Sequence, residues 1–336
     1  MAQAGMAMRD LRALRYDPPG YAKHGARRTT FQSALEQCEQ FVAAARDAGY
    51  ATRPVQLFYA LSQASRAIVA ASPRISNQAW RVNGHGLAAN TNAPSAPDVT
   101  VTATKTGLFP SLAAALGLEP LVADEPTALS ELWPLLPEAT FVPLNADSTL
   151  PVLFFAQHGQ PDAPFSQAEI AWIPHRVKDL YGDDPAQVKR HLDHYPALRD
   201  STLLVSGPRQ RLEWTSTGPG LGLRVKWRSG AELGNGTPLM LADSKTIDDL
   251  GVASYYSADD FVITPAIGSM SAALHPILAL WAVLLALSSL ARYEPASWSK
   301  MADIDRSADA NPIEHLLDAA TDSIPAATRN LLTSLK

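Results

Sequence analysis

The sequence predicts a mainly helical α+β protein, with a helical lobe built from both chain ends around a long buried apolar helix and an antiparallel strand-rich insert between them. Three observations carry this reading. Apolar residues recur at helical spacing near both ends, and the run 272–291 contains no Asp, Glu, Lys or Arg. Between 200 and 265, short β-type runs succeed one another with turn residues and no long helix between them. The 336 residues also suit two packed lobes, because single cores stop growing at roughly 250–300 residues. The expected division is a basic, partly flexible arm over 1–30, a helical lobe with short strands over 31–195, the insert over 200–265, and closing helices over 271–335.

Each element has a local reason. A helix is expected over 31–48, with Phe31, Leu35, Cys38, Phe41, Val42 and Ala45 on one face, and Gly49 ends it. Pro54 suits the first turn of a second helix, 55–71, which Ser72-Pro73 closes. Its apolar stripe runs through Leu57, Phe58, Leu61, Ala64 and Ile68, while Tyr59, Gln63 and Arg66 make a polar stripe. The Asn/Gly-rich stretch 83–87 and the Ala/Asn/Thr/Pro/Ser stretch 88–98 read as loops, the second flexible by composition. A strand follows over 99–104, then a turn at 105–110 into a helix over 111–116; a further helix is expected over 127–136 and a buried strand over 151–156.

Helices over 169–180 and 185–194 lead into strands at 202–206, 211–215, 221–227, 238–242 and 261–264, with turns at Gly218-Pro219-Gly220 and Gly234-Asn235-Gly236. After the apolar helix, Pro312 and Pro325 each open a closing helix, 312–320 and 325–335. One internal echo links the two ends. Ala60-Leu61-Ser62 followed by Arg66 matches Ala286-Leu287-Ser288 followed by Arg292, so each helix carries a Ser and an Arg four apart on one face, as paired helices around a polar seam would.

Composition excludes several classes. A single cysteine, Cys38, rules out an intramolecular disulfide and a Cys-based zinc cluster, and fits a reducing compartment. The first 28 residues are Arg-rich but hold no apolar stretch of signal-peptide length, and Pro18-Pro19-Gly20 interrupts the amphipathic helix a transit peptide needs. A cytoplasmic location is therefore expected. The net charge of −5 argues against a general nucleic-acid coat and leaves room for a local basic patch. The run 272–291 has the length of a bilayer span, but His275, Pro276, Ser288 and Ser289 dilute it, so a buried helix and no membrane contact are expected.

Four blocks in order, Leu57-Phe58-Tyr59-Ala60-Leu61-Ser62-Gln63, His85-Gly86-Leu87, Lys105-Thr106-Gly107-Leu108-Phe109-Pro110, and Leu287-Ser288 leading to Arg292-Tyr293-Glu294 and Trp298, resemble the YaaC-like family of bacterial proteins. The resemblance spans roughly residues 30 to 335. It implies kinship without a biochemical activity. Ser297-Trp298 stands where the family tends to carry two tryptophans, and the strand-rich middle lies outside the resemblance.

The same blocks hold the candidate site. His85 between two glycines is the leading catalytic candidate, because glycine admits close approach to the backbone and imidazole exchanges protons near neutrality; a turn in which it bonds a neighbouring carbonyl is the competing reading. Arg292 and Glu294 are the other catalytic candidates. Arg66, Lys105, Tyr293 and Gln63 are the ligand-binding candidates, and no metal or cofactor is expected. A guanidinium on a mostly buried face needs a partner, either Glu294 or another acid in a clamp between lobes, or a ligand anion held by its bidentate fork.

Weaker patterns fail their context. Lys105-Thr106-Gly107 lacks the full phosphate-loop pattern, and Gly218, Gly220 and Gly222 precede a strand where a dinucleotide site needs a helix. Ser297 and Lys300 match SxxK by letter alone, and His175, His191, Asp193 and His194 read as a solvated segment. Three roles follow. The first is a protein that binds an anionic small molecule or RNA phosphate, or a partner, in bacterial stress or defence. The second is a metal-independent ribonuclease like the HEPN type, with His85 as acid/base and Arg292 on the developing charge. Its usual helix-borne Arg-His pair is absent, since Arg81 precedes His85 across a loop. The third is a scaffold engaging a protein partner through the 200–265 insert.

Overall fold

Two helices that bury nearly every face, Arg53–Ala71 and Pro276–Tyr293, come from opposite ends of the chain and pack on each other. The computed structural model describes residues 2–144, 148, 150–157, 167–216, 220–227, 253–254 and 261–335. The chain forms two units, Met1–Ala146 with Leu274–Lys336, and Asp147–Ala273. In chain order the elements are α1 (Ala2–Tyr16), α2 (Gly25–Asp47), α3 (Arg53–Ala71), β1 (Leu87–Asn90), β2 (Thr100–Ala103), α4 (Leu108–Leu116), β3 (Pro126–Ala128) and α5 (Leu129–Leu132). The second unit holds β4 (Leu153–Gln157), β5 (Gln167–Ile173), α6 (His175–Tyr181), α7 (Pro185–Leu192), β6 (Ser201–Leu203), β7 (Val205–Ser206), β8 (Arg211–Leu212), β9 (Thr215–Ser216), β10 (Leu221–Trp227), β11 (Ala253–Ser254) and β12 (Phe261–Ile263). The first unit is completed by α8 (Pro276–Tyr293), α9 (Pro295–Met301) and α10 (Ala310–Ser334).

In the first unit, α8 is long and apolar enough to cross a bilayer, and 83% of that stretch is buried inside the fold. It packs chiefly on α3, where Phe58 and Ser65 meet Trp281. Fully burying a large apolar side chain contributes roughly 1.5–3 kcal/mol, so this pair supplies much of the unit's core. The indole N–H of buried Trp281 needs an acceptor, and Ser65 Oγ accepts it at 3.2 Å while donating to the Leu61 carbonyl at 2.8 Å. The echoed helices thus meet, but Ser65 and Tyr59 join them to α8 through bonds the echo did not include.

The connection from α2 to α3 turns on Gly49, whose carbonyl accepts the amides of Thr52 and Arg53, each at 3.0 Å. On α1, Arg15 meets Glu36 at 2.9 Å and Arg12 pairs with Glu39, both on α2. Trp298 of α9 is buried and donates to the Ala51 carbonyl at 3.2 Å. The two closing helices expected from Pro312 and Pro325 are one, α10, with Pro325 inside it. Proline has no N–H for the Thr321 carbonyl one turn back. The Arg46 guanidinium donates to that carbonyl instead, at 3.3 Å, and meets Asp322 at 3.0 Å, so the helix continues.

Two other expectations change in this unit. The stretch 88–98, expected as a flexible loop, begins with the rest of β1, which pairs antiparallel with β2; β3 pairs on the other side of β2. The helix expected over 127–136 shrinks to α5, because Pro134 and Pro137 withhold amide donors and turn the chain through short 3-10 segments.

The second unit is an antiparallel sheet of order β11-β12-β4-β5-β10-β6, with β9 paired to β10. Residues 167–173 form β5, correcting the helix expected from 169; Pro174 then starts α6. Helical spacing misled here because Ile170 and Ile173 are both buried. A bulge explains it: Leu221 and Leu223, two apart, face Ile173 and Ile170, three apart, so the extra residue on β5 brings both isoleucines to the core. Against this face pack Val177, Val188, Leu192 and Leu198, with Tyr195 buried and donating to the Pro151 carbonyl at 2.7 Å. His191, expected in a solvated segment, is buried with its ring 5.3 Å from Tyr181. The strand expected at 238–242 and the turn at 234–236 lie outside the described residues.

His275 caps α8, its Nδ1 accepting the Ile277 amide at 3.1 Å, and burial pushes its pKa down to about 4 from 6.5. The unfolded chain then binds more protons than the folded one between these values, so this contribution to stability is complete above pH 6.5 and is lost as pH falls toward 4. Asn at this position caps without titrating. Thermal unfolding of His275→Asn over this window should show a shallower decline than the parent, the gap reaching at most about 3 kcal/mol. Parallel curves would remove His275 from the pH response.

Candidate functional site

The register of β1 against β2 sets the site. Leu87 faces Ala103, so the residues just before β1 lie beside those just after β2. The Thr104 amide donates to the Gly86 carbonyl at 3.0 Å, the Leu108 amide to Gly84 at 3.2 Å, and the Phe109 amide to His85 at 2.8 Å. The first amides of α4, which would otherwise be free to receive an anion, thus hold the His85 loop. Backbone contact is close enough to require glycine twice. A Cβ on Gly86 would meet Pro110 Cδ at 2.6 Å, and one on Gly107 would collide with the Gly86 backbone. Gly107 sits at φ 120°, ψ −176°, a region essentially confined to glycine.

This clasp presses the His85 ring against the edge of Phe58 at 5.0 Å and near Trp281 at 6.2 Å, and Trp281 in turn meets Phe109 at 5.7 Å. His85 Nδ1 is buried without a hydrogen-bond partner. Burial, then the positive charges of Arg292 and Arg66, hold the imidazole below its ordinary pKa of 6.5. His85 is therefore neutral at pH 7 and suited to accept a proton.

Arg66 and Arg292 are half-buried, and among the described residues neither has a carboxylate partner. Arg66 donates to the Val82 carbonyl at 2.9 Å. Arg292 donates through Nε to the Ser288 carbonyl at 3.1 Å and through Nη1 to Tyr59 Oη at 3.5 Å, with its guanidinium 4.9 Å from the Tyr293 ring centre. Tyr59 is itself stacked on Phe41 at 5.5 Å. Ser288 Oγ, one turn before Arg292, is buried without a partner. The result is two guanidiniums whose charge the described residues leave unneutralised, both acting on one neutral histidine.

The remaining candidates separate into near and far. Gln63 lies on α3 between Tyr59 and Arg66, half-buried and without a hydrogen bond among the described residues. Tyr293 is 67% exposed beside Arg292. Glu294 is exposed at the end of α8, where its amide and carbonyl bond Leu290 and Trp298; its carboxylate does not reach Arg292, so the expected clamp is missing. Lys105 is exposed and is not one of the cations acting on His85. Sequence reasoning missed the aromatic cage of Phe58, Trp281 and Phe109, whose helical spacing reads as plain core. It also missed Trp80, and weighed Arg81 against His85 alone; both border a groove beside Arg66.

Each of the two guanidiniums can pair with an oxyanion, and both act electrostatically on a neutral imidazole. The family model described as YaaC-like Protein matches residues 13–332. Nothing among the curated proteins or the solved structures matches the chain.

The clasp makes a graded test. Gly107→Ala forces both a glycine-only conformation and a backbone collision, and should destabilise the helical unit by roughly 1–3 kcal/mol or more. Gly84→Ala, at φ 75° with open space around its Cβ, should cost about 1–2 kcal/mol at most. Urea unfolding of the two variants compares them, and equal losses would show that the Gly86–Gly107 contact does not hold the loop.

Proposed function

The chain belongs to the YaaC-like family, and from that premise we propose that it is a cytoplasmic binding protein whose helical unit receives an anionic group, the phosphate of a nucleotide or of RNA, between Arg66, Arg292 and His85. The observation that carries this reading is the pair of half-buried guanidiniums with no carboxylate partner among the described residues, both felt by His85. An uncompensated, partly desolvated charge is costly, and a ligand anion relieves that cost in the bound state. Buried Cys38, whose thiol burial pushes up to about 12, is an inert core residue and fits the proposed compartment.

Titration calorimetry with pyrophosphate, mononucleotides and short RNA tests the site. Arg66→Ala and Arg292→Ala should each weaken binding roughly 10- to 100-fold, as expected for losing a hydrogen bond to a charged group. A phosphodiester keeps its charge across the range, so RNA should bind more tightly as pH falls below 6.5 and His85 gains a third positive charge; His85→Gln should abolish that rise. Absence of binding by every compound, with the Arg variants altering stability alone, refutes the proposal.

The neutral state of His85 favours one further reading, a metal-independent ribonuclease: His85 takes the proton of a 2′-hydroxyl as its oxygen attacks phosphorus, Arg292 stabilises the charge that develops on the phosphoryl oxygens, and the P–O5′ bond breaks to leave a 2′,3′-cyclic phosphate and a 5′-oxygen that regains a proton from the imidazolium or water. Labelled RNA incubated with EDTA should then be cut by the parent protein and lose at least 100-fold in rate with His85→Ala. Equal cleavage by both, or none by either, dismisses the mechanism.

A further inference from the structure

Beside Arg66 lies an open groove of about 480 Å³. Thr29, Thr30, Arg66, Trp80, Arg81 and Asn83 line it, and no carboxylate does. Its chemistry has two parts. The guanidiniums of Arg81 and Arg27 lie over the half-buried Trp80 ring, 5.0 and 5.6 Å from its centre, and a planar ligand stacks on the indole in place of the exposed Arg81. Arg27 is fixed in turn by the carbonyls of Ala70 and Ser72, at 3.2 and 3.3 Å, so the platform's flank is anchored. Around it, the Thr29 and Thr30 hydroxyls and the Asn83 amide make no hydrogen bond among the described residues. They are free donors and acceptors at the edge of a planar surface.

Arg66 joins this groove to the site already described. It lines the groove, is tethered to Val82 in the groove wall, and acts electrostatically on His85. A ligand spanning both places needs an anionic group at one end and a planar ring with polar edges at the other. A bare oxyanion or a sugar phosphate would leave the indole and the free hydroxyls unused. Bases stack on aromatic faces whatever their sequence, and an adjacent guanidinium strengthens such contacts.

We propose that the groove takes the base of a nucleoside phosphate, with Trp80 as its stacking face and Arg66 as the cation that links the base position to the phosphate held near Arg292 and His85. This rests on the phosphate reading above and specifies its ligand class, a nucleoside phosphate either free or within single-stranded RNA.

Calorimetry on the full chain separates the two layers. Ribose 5-phosphate reports the phosphate site alone, and adenosine and cytidine 5′-monophosphates report phosphate plus base. In the parent protein the mononucleotides should bind roughly 5- to 150-fold more tightly than ribose 5-phosphate, the range expected for one base stacked on an aromatic ring. Trp80→Leu should bring that ratio to within twofold, and Trp80→Phe should restore most of it. If Trp80→Leu fails to fold, the indole N–H resonance that Trp80→Phe deletes should move on adding mononucleotide but not ribose 5-phosphate in the parent. Binding of ribose 5-phosphate as tightly as mononucleotides overturns the base groove and leaves the phosphate site standing. Failure of pyrophosphate, ribose phosphate and nucleotides alike removes the phosphate site and the groove with it. A ten-nucleotide RNA binding more tightly than mononucleotides, with a steep salt dependence, assigns the ligand to RNA, and equal binding assigns it to free nucleotide.

Discussion

The packing of α3 on α8 is the constraint on which the helical unit depends. Both helices bury nearly their whole circumference, so a polar group between them must be bonded within the pair or emerge at an end. Ser65 and Trp281 satisfy each other inside the seam. Toward the other end of α3, Tyr59 meets Arg292 where α8 leaves the core, and Gln63 and Arg66 lie on the same stripe of α3. The cations therefore stand at the margin of a dry interface, where water screens their charge less than at an open surface.

The small β1–β2–β3 sheet supplies the missing component. Its register leaves no choice about which loops meet, since Leu87 opposite Ala103 places Gly86 against Thr104 and His85 against the start of α4. Two glycines then let the strands' extensions approach more closely than any side chain would permit. His85 is carried against Phe58 and Trp281, and so toward the margin where Arg66 and Arg292 emerge. The same hydrogen bonds occupy the first amides of α4, which explains in physical terms why Lys105-Thr106-Gly107 is no phosphate loop here.

Much of the fold was legible because its signals are local. The stripes of α2 and α3, the apolar run of α8 and the alternation of β10 each reflect one element burying one face or all of them. The failures are non-local. β5 looked helical because a bulge, created by its partner's register, turns two isoleucines three apart to one side. α10 looked broken because the donor replacing the Pro325 amide comes from Arg46 on α2, far away in sequence. β1 looked like loop because its residues carry weak strand preference and are held by pairing with β2. Of the candidate site, His85, Arg66 and Arg292 were visible as a glycine-flanked histidine and as cations on apolar helices. Trp80 was not, since a tryptophan in a polar loop carries no pattern until a groove forms around it.

By itself the sequence determined the fold class, kinship with the YaaC-like family, the burial of α8, and which side chains are chemically unusual for their surroundings. These follow from periodicity, composition and residue type, which are properties of neighbours along the chain. Tertiary structure alone decided that Glu294 does not neutralise Arg292, that Lys105 is exposed and not among the cations acting on His85, and that Arg66 both acts on His85 and lines the groove. Those outcomes depend on where each side chain is directed once strand register and helix packing have brought the segments together, which no local pattern encodes.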